Sequence, residues 1–241
     1  MLLLAALFCL TACNKDGDET IALEFGDGSS DKDVDTRLDN VVPSDIQDYI
    51  DDYMPLYRGK NPPNIEGVYH FYPIVIVYCS DGEYNPGEIM GDNSVIKISN
   101  QNSKNNTLDY DSYDLELSQT SLVGKGAFVS GSGNDFTAYF VNEGTYDGIY
   151  AKMAMIFSGT KTSQGIKNLR SCSVMLAKND PGHDLMDVGT YRISKDQDGL
   201  SENYTWNPRY SPTREIGNRK SWLLFHSGNH VEIENQEIEV K

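Results

Sequence analysis

From residue 65 onward the chain reads as one short apolar run after another, each bounded by Gly, Ser, Asn or Asp. Runs of that length with that punctuation are strands. The first, 65–79, is the longest, and within it Ile74, Val75, Ile76, Val77 and Tyr78 fill both faces, as a strand between two packed surfaces requires. Pro73 has no N–H to give to a ladder, so a bulge or an edge is expected there. Further strands are expected at 94–99, 107–117, 121–130 and 135–142. In 107–117 the alternation slips near Asp111 and Ser112, which predicts a β-bulge. Gly131-Ser132-Gly133-Asn134 predicts the hairpin turn between the next two strands. In 149–157 Ile149, Ala151, Met153, Met155 and Phe157 share one face, and in 169–178 Cys172, Val174 and Leu176 do so. Strands are also expected at 188–193 and 222–225, with 203–220 a loop and 231–240 either an edge strand or a solvated tail.

One helix precedes these strands. Pro43 is followed by Ser44 and, three residues on, by Gln47, a capping-box spacing. Ile46, Tyr49, Ile50, Tyr53 and Met54 then form an apolar stripe, and Pro55 ends the helix. The composition agrees with a strand-rich domain, since 15 Tyr and 21 Gly favour strands and turns. The expected fold class is all-β: a single domain at 43–241 with about eight to ten antiparallel strands, closed into a barrel so that no edge is left exposed. A helix, a long first strand opening Gly67-Val68-Tyr69, and a meander resemble the calycin or lipocalin-type barrels, with Tyr69 where lipocalins carry Trp. The chain is similar in particular to the lipocalin-like family of bacterial lipoproteins over about residues 44–226. That resemblance implies a barrel able to hold an apolar cavity, and it brings no catalytic residues.

The N-terminus points to the cell envelope. Residues 2–10 are apolar or small and uncharged, a stretch well short of the ~20 residues of a membrane-spanning helix but suited to the core of a signal peptide at 1–12. Leu10-Thr11-Ala12-Cys13 resembles the lipobox of bacterial lipoproteins, which implies cleavage before Cys13 and lipid on that cysteine. The expected partner is therefore a membrane, through the lipid anchor, with the protein on the periplasmic or cell-surface face of the outer membrane. Acids outnumber bases in 13–42, which reads as a flexible tether, and Lys15-Asp16 with Asp18-Glu19 resembles an acid-rich surface-export signal. Of the remaining cysteines, Cys79 and Cys172 sit in apolar runs and are expected to be unpaired core thiols in preference to a disulfide.

Charge and motifs narrow the chemistry. With 20 Lys and Arg against 36 Asp and Glu the formal net charge is −16, a surface that repels phosphate backbones, so nucleic acid is excluded as a partner. Asp196-Gln197-Asp198-Gly199 resembles the start of a calcium loop, but the positions that should also ligate hold Ser194 and Thr205, and a hairpin turn accounts for the same residues. Ser158-Gly159-Thr160-Lys161 matches Ser-x-x-Lys, the nucleophile motif of penicillin-recognising enzymes, yet it falls at a strand end without the partner motifs. Gly228-Asn229 separates His226 from His230, so no metal pair is expected.

No catalytic residue, metal site or cofactor is therefore expected, and the chain reads as a binding or structural protein rather than an enzyme. Met153, Met155 and Phe157 are candidate walls of a ligand cavity, because thioethers adapt to varied shapes. Trp206 and Trp222, with Tyr204, Tyr210, Arg209, Arg214 and Arg219, are candidates for stacking on a glycan or an amphipathic ligand. Two functions follow: a barrel that binds a small apolar or amphipathic ligand or a glycan, or a non-catalytic subunit of an envelope complex with no cavity.

The anchor can be tested alone. Acyl chains contribute about 0.8 kcal/mol per buried methylene, so Cys13→Ala should move the protein from the membrane pellet to the soluble fraction. Retention in the pellet would refute the lipid anchor.

Overall fold

The computed structural model describes residues 18–20, 34–35, 37, 41–42, 44–90, 93–115, 122–146 and 149–207. The expected signal peptide, Cys13, Trp222, Tyr210, Arg209, Arg214, Arg219, His226, His230 and the strands expected at 222–225 and 231–240 lie outside the described residues. The elements in chain order are β1 (Asp18–Thr20), α1 (Ser44–Tyr53), β2 (Lys60–Asn61), β3 (Gly67–Phe71), β4 (Ile74–Cys79), β5 (Ser94–Asn102), β6 (Thr107–Asp114), β7 (Leu122–Ser132), β8 (Asp135–Tyr146), β9 (Ile149–Lys161), β10 (Gly165–Asn179), β11 (Tyr191–Asp196) and β12 (Leu200–Glu202).

The strands hydrogen-bond in the order β3-β5-β6-β7-β8-β9-β10-β11-β4. The two ends of that order, β3 and β4, are adjacent pieces of one run divided at Tyr72-Pro73, so the sheet curls into a nearly closed antiparallel barrel with one short helix before it. Proline 73 gives the ladder no N–H, as its chemistry dictates, but its carbonyl accepts the Gln197 N–H at 2.9 Å. The seam is finished by β12, which pairs with β10, and by residues beyond it: Asn203 bridges Tyr69, and Tyr204 N–H donates to the Val68 carbonyl at 2.8 Å. The bulge expected in β6 near Asp111 and Ser112 is not found, since β6 pairs evenly with β5 there; the β6–β7 register shifts instead opposite Leu108 and Tyr110, where the extra residue lies on β7 between Gly124 and Ala127.

Two apolar layers follow from the alternation. Met153, Met155 and Phe157 of β9 point into the barrel with Ile96, Leu108, Phe140 and Met175, while Ala154 and Ile156 of the same strand point outward. The outward set joins Phe128, Tyr139, Cys172, Val174 and Leu176 beneath α1. Strand β9 is thus buried on both faces, and each fully buried aliphatic side chain contributes about 1.5–3 kcal/mol.

The helix docks through Ile50 and Met54, both 0 % exposed, and through Tyr53, whose ring stacks on Tyr78 at 4.3 Å. The expected stripe is shifted: Tyr49 is 59 % exposed and Gln47 is buried. Gln47 does not serve as the far half of a capping box. Its amide donates to the Val42 carbonyl at 2.7 Å, and its oxygen accepts from Arg58 at 2.9 Å. Asp51 accepts the Leu56 N–H at 3.0 Å, closing the turn at Pro55.

The segment expected as a free tether is tied down where it is described. Asp18–Thr20 pairs with Ala177, Lys178 and Asn179 of β10, Val34 bridges Gly59, and Val41 and Val42 are buried under the helix. Arg37 pairs with Asp35 and lies 4.4 Å over the Phe128 ring. The acids outnumber these few apolar and cationic residues, which hid their packing role in the composition. Cys79 faces the barrel interior and Cys172 the helix-covered side, and both are free and buried.

If the helix is anchored by one face, Ile50→Asp should cost at least about 3 kcal/mol because it forces a charge into an apolar layer. Tyr49→Asp should stay within about 0.5 kcal/mol of the parent. Equal denaturation midpoints for the two variants would contradict the docking.

Candidate functional site

Strand β9 ends, β10 begins and β11 turns into β12 at one end of the barrel, beside the chain leaving α1. These four segments enclose a cleft of about 450 Å³ lined by Pro55, Tyr57, Ser158, Thr160, Asn168 and Arg170, and by Lys195 to Gly199. Each wall has a local cause. The strap 55–57 is held against the barrel because Ser158 Oγ donates to the Pro55 carbonyl, Ser130 Oγ donates to the Tyr57 carbonyl, and the Tyr57 N–H donates to Thr137 Oγ1 at 2.7 Å. Arg170 donates from Nη1 to the Tyr53 carbonyl at the end of α1, where the helix dipole favours a cation. A bulge in β10 between Lys167 and Arg170 aims Asn168 at the turn, and its N–H donates to the Gly199 carbonyl at 3.0 Å.

The turn itself is the hairpin anticipated at Asp196-Gln197-Asp198-Gly199, with Gly199 at φ +84°. Asp196 Oδ1 accepts the Asp198 N–H at 3.3 Å, and Asp198 Oδ1 accepts the Leu200 N–H at 3.0 Å. Two successive carboxylates therefore cap backbone donors, the usual work of Asp in turns. Asp196 is buried, and Ser201 Oγ donates to its Oδ2 at 2.6 Å. Burial pushes its carboxyl up to about 6, with the Asp198 side chain adding to the rise against the Ser201 hydroxyl. Burial likewise raises the Tyr57 phenol, helped by Asp135 and opposed by Arg170. The cleft thus offers two cations, two carboxylates, two amides and a phenol ring: enough to bond hydroxyls and stack on one ring face.

The Ser-x-x-Lys residues do not form a nucleophile pair. On a strand, positions three apart face opposite sides, and Ser158 engages Pro55 outside the barrel while Lys161 lies 4.9 Å over the Tyr69 ring. Burial lowers the Lys161 ammonium.

Of the sequence-predicted ligand residues, Met153, Met155 and Phe157 come together inside the barrel. Phe157 packs 5.5 Å from Tyr110 and 5.8 Å from Phe140. Their neighbours include three polar side chains: Arg192, paired with Asp81 at 3.3 Å and lying over Tyr84, and Asn142 and Ser173, each 1 % exposed, whose side-chain polar atoms have no hydrogen-bond partner among the described residues. Loop 180–190 covers the end of the barrel opposite the cleft, burying Leu185 and Met186, and Lys178 fastens it through the Leu185 carbonyl and Asp187.

Trp206 is not among them. It packs edge-on against Tyr113 at 4.9 Å on the outer wall of β5 and β6, with Lys97 Nζ 5.0 Å from its ring. Tyr204 lies beside it against His70 at 5.1 Å. The sheet holds these aromatics, expected to stack on a glycan or an amphipathic ligand, on the other side of the wall from Met153, Met155 and Phe157. Sequence reading missed Asn168, Arg170 and Lys195, whose one local signal is a polar side chain, charged in Arg170 and Lys195, within a strand.

No protein-family model matches this chain, and neither curated proteins nor solved structures give a match.

The raised Asp196 carboxyl has a measurable consequence. Its folded value near 6 stands above the ~3.9 of an unfolded Asp, so the folded state holds the proton longer and loses stability as pH rises from about 4 to 6. Asp196→Asn keeps the acceptor for Ser201 and removes the titration. Its melting midpoint, relative to the parent, should rise between pH 4 and 7, and a constant difference across that range would contradict the assignment.

Proposed function

We propose that this chain is a lipid-anchored envelope protein whose barrel is a rigid scaffold for a glycan-binding cleft at the end of β9, β10 and β11. What carries the reading is the cleft of about 450 Å³ and its polar lining, in the size range of small-molecule sites. Hydroxyl-rich ligands need carboxylates and amides as bidentate partners together with one aromatic face; Asp198, Asn168, Gln197 and Tyr57 supply these. The lipobox-like Leu10-Thr11-Ala12-Cys13 supports the anchor, and the net charge of −16 argues against nucleic acid.

A second reading, an amphipathic ligand inside the barrel, is favoured by one observation: Asn142 and Ser173 are buried there beside Met153 and Met155 without hydrogen-bond partners among the described residues. Buried polar groups in folded proteins are nearly always satisfied, by protein or by ordered water, and a polar group on an interior ligand would serve the same purpose.

Titration calorimetry of the full chain against neutral mono- and disaccharides separates the two. Saturation at about one per chain, weakened in Gln197→Ala and Asp198→Asn, is the expected result. No sugar binding, with a fluorescent apolar probe taken up by the parent and blocked in Met155→Trp, would transfer the function to the interior. Neither uptake would leave a structural subunit of an envelope complex.

A further inference from the structure

We propose that the ligand of this cleft is a sugar acid, a uronate, whose carboxylate sits between Arg170 and Lys195; the inference rests on the cleft being a glycan site. These two residues are register partners in the antiparallel β10–β11 pair and both line the cleft. Directly opposed side chains have Cβ atoms about 5 Å apart, and like charges so placed repel.

Elsewhere the barrel pairs its cross-strand charges by opposite sign. Lys97 faces Asp111 across β5 and β6, with N···O at 3.4 Å, and Lys152 faces Glu143 across β8 and β9 at 3.8 Å. In a chain with 20 cations and 36 acids, two cations set against each other at a cleft are the exception.

Among the described residues, the acids nearby form no ion pair with these two cations. Asp196 accepts from Ser201 and from the turn backbone, Asp198 Oδ1 accepts the Leu200 N–H, and Asp135 accepts the Thr160 hydroxyl at 2.6 Å. Among the described residues Arg170 makes one hydrogen bond, to the Tyr53 carbonyl. Its remaining guanidinium donors and the Lys195 ammonium supply a fork and a point charge for one carboxylate, the geometry that charge-assisted pairs favour. Asn168 and Gln197 then stand at the reach of ring hydroxyls, and Tyr57 at that of a ring face.

The test uses the full chain with D-galacturonate, its trimer, D-galactose and inorganic sulfate. Galacturonate should bind about tenfold more tightly than galactose, with added salt narrowing the gap. Lys195→Gln, an exposed position, should remove most of that advantage. A trimer tighter than the monomer supports a polysaccharide source, and equal affinity supports a free sugar acid. Equal binding of galactose and galacturonate, or an unaltered ratio in Lys195→Gln, overturns the uronate assignment while the glycan cleft stands. Sulfate binding as tightly as galacturonate overturns it also, leaving an anion site without sugar recognition. Failure of every sugar overturns the cleft reading itself.

Discussion

The run 67–79 is hydrogen-bonded on both sides, its first half to β5 and its second to β11. A sheet whose ends meet in one strand has no long free edge, and its curvature gives it an inside and an outside. Tyr69 fixes the start of the run, its hydroxyl donating to the Ile65 carbonyl at 2.7 Å with the ring fully buried. Burial in turn raises the Tyr69 phenol far above its ordinary range. Because the wall closes, β9 and β10 can be apolar on both faces, with a filled interior on one side and the helix on the other.

The cleft depends on that second layer. Its strap is the chain leaving α1, and Arg170 reaches the last turn of the same helix. A loosened helix would therefore open the cleft from the outside without disturbing Met153 or Phe157. The two cysteines record the same division, since Cys79 lies in one apolar layer and Cys172 in the other. Burial raises both thiols, Cys172 more strongly, which suits inert core residues rather than reactive ones.

Much of the fold was legible because strands repeat every two residues. The parity of Ile149, Ala151, Met153, Met155 and Phe157 located β9 and its inner face, and Gly131-Ser132-Gly133-Asn134 located the turn between β7 and β8. Pro73 marked the break in the first strand. What the pattern could not carry was pairing at a distance: β10 takes β1, β11 and β12 in succession along one edge, and nothing local in Asp18–Thr20 announces that role. The cleft was less legible still. Its residues come from four segments, and the turn at Asp196 was read correctly as a turn without its neighbours Asn168 and Arg170. For a related reason the place of Trp206 was not legible, since composition records that a residue is aromatic but not on which side of the wall it lies.

Amide shifts of the isotope-labelled full chain, followed during titration with a disaccharide, distinguish the cleft from the interior most directly. With the ligand in the cleft, perturbations should centre on Asn168, Arg170, Gln197 and Gly199 and leave Asn142, Met155 and Ser173 unmoved. Perturbations centred on Asn142, Met155 and Ser173, with the turn at Gly199 silent, would contradict a glycan cleft and put the ligand inside the barrel.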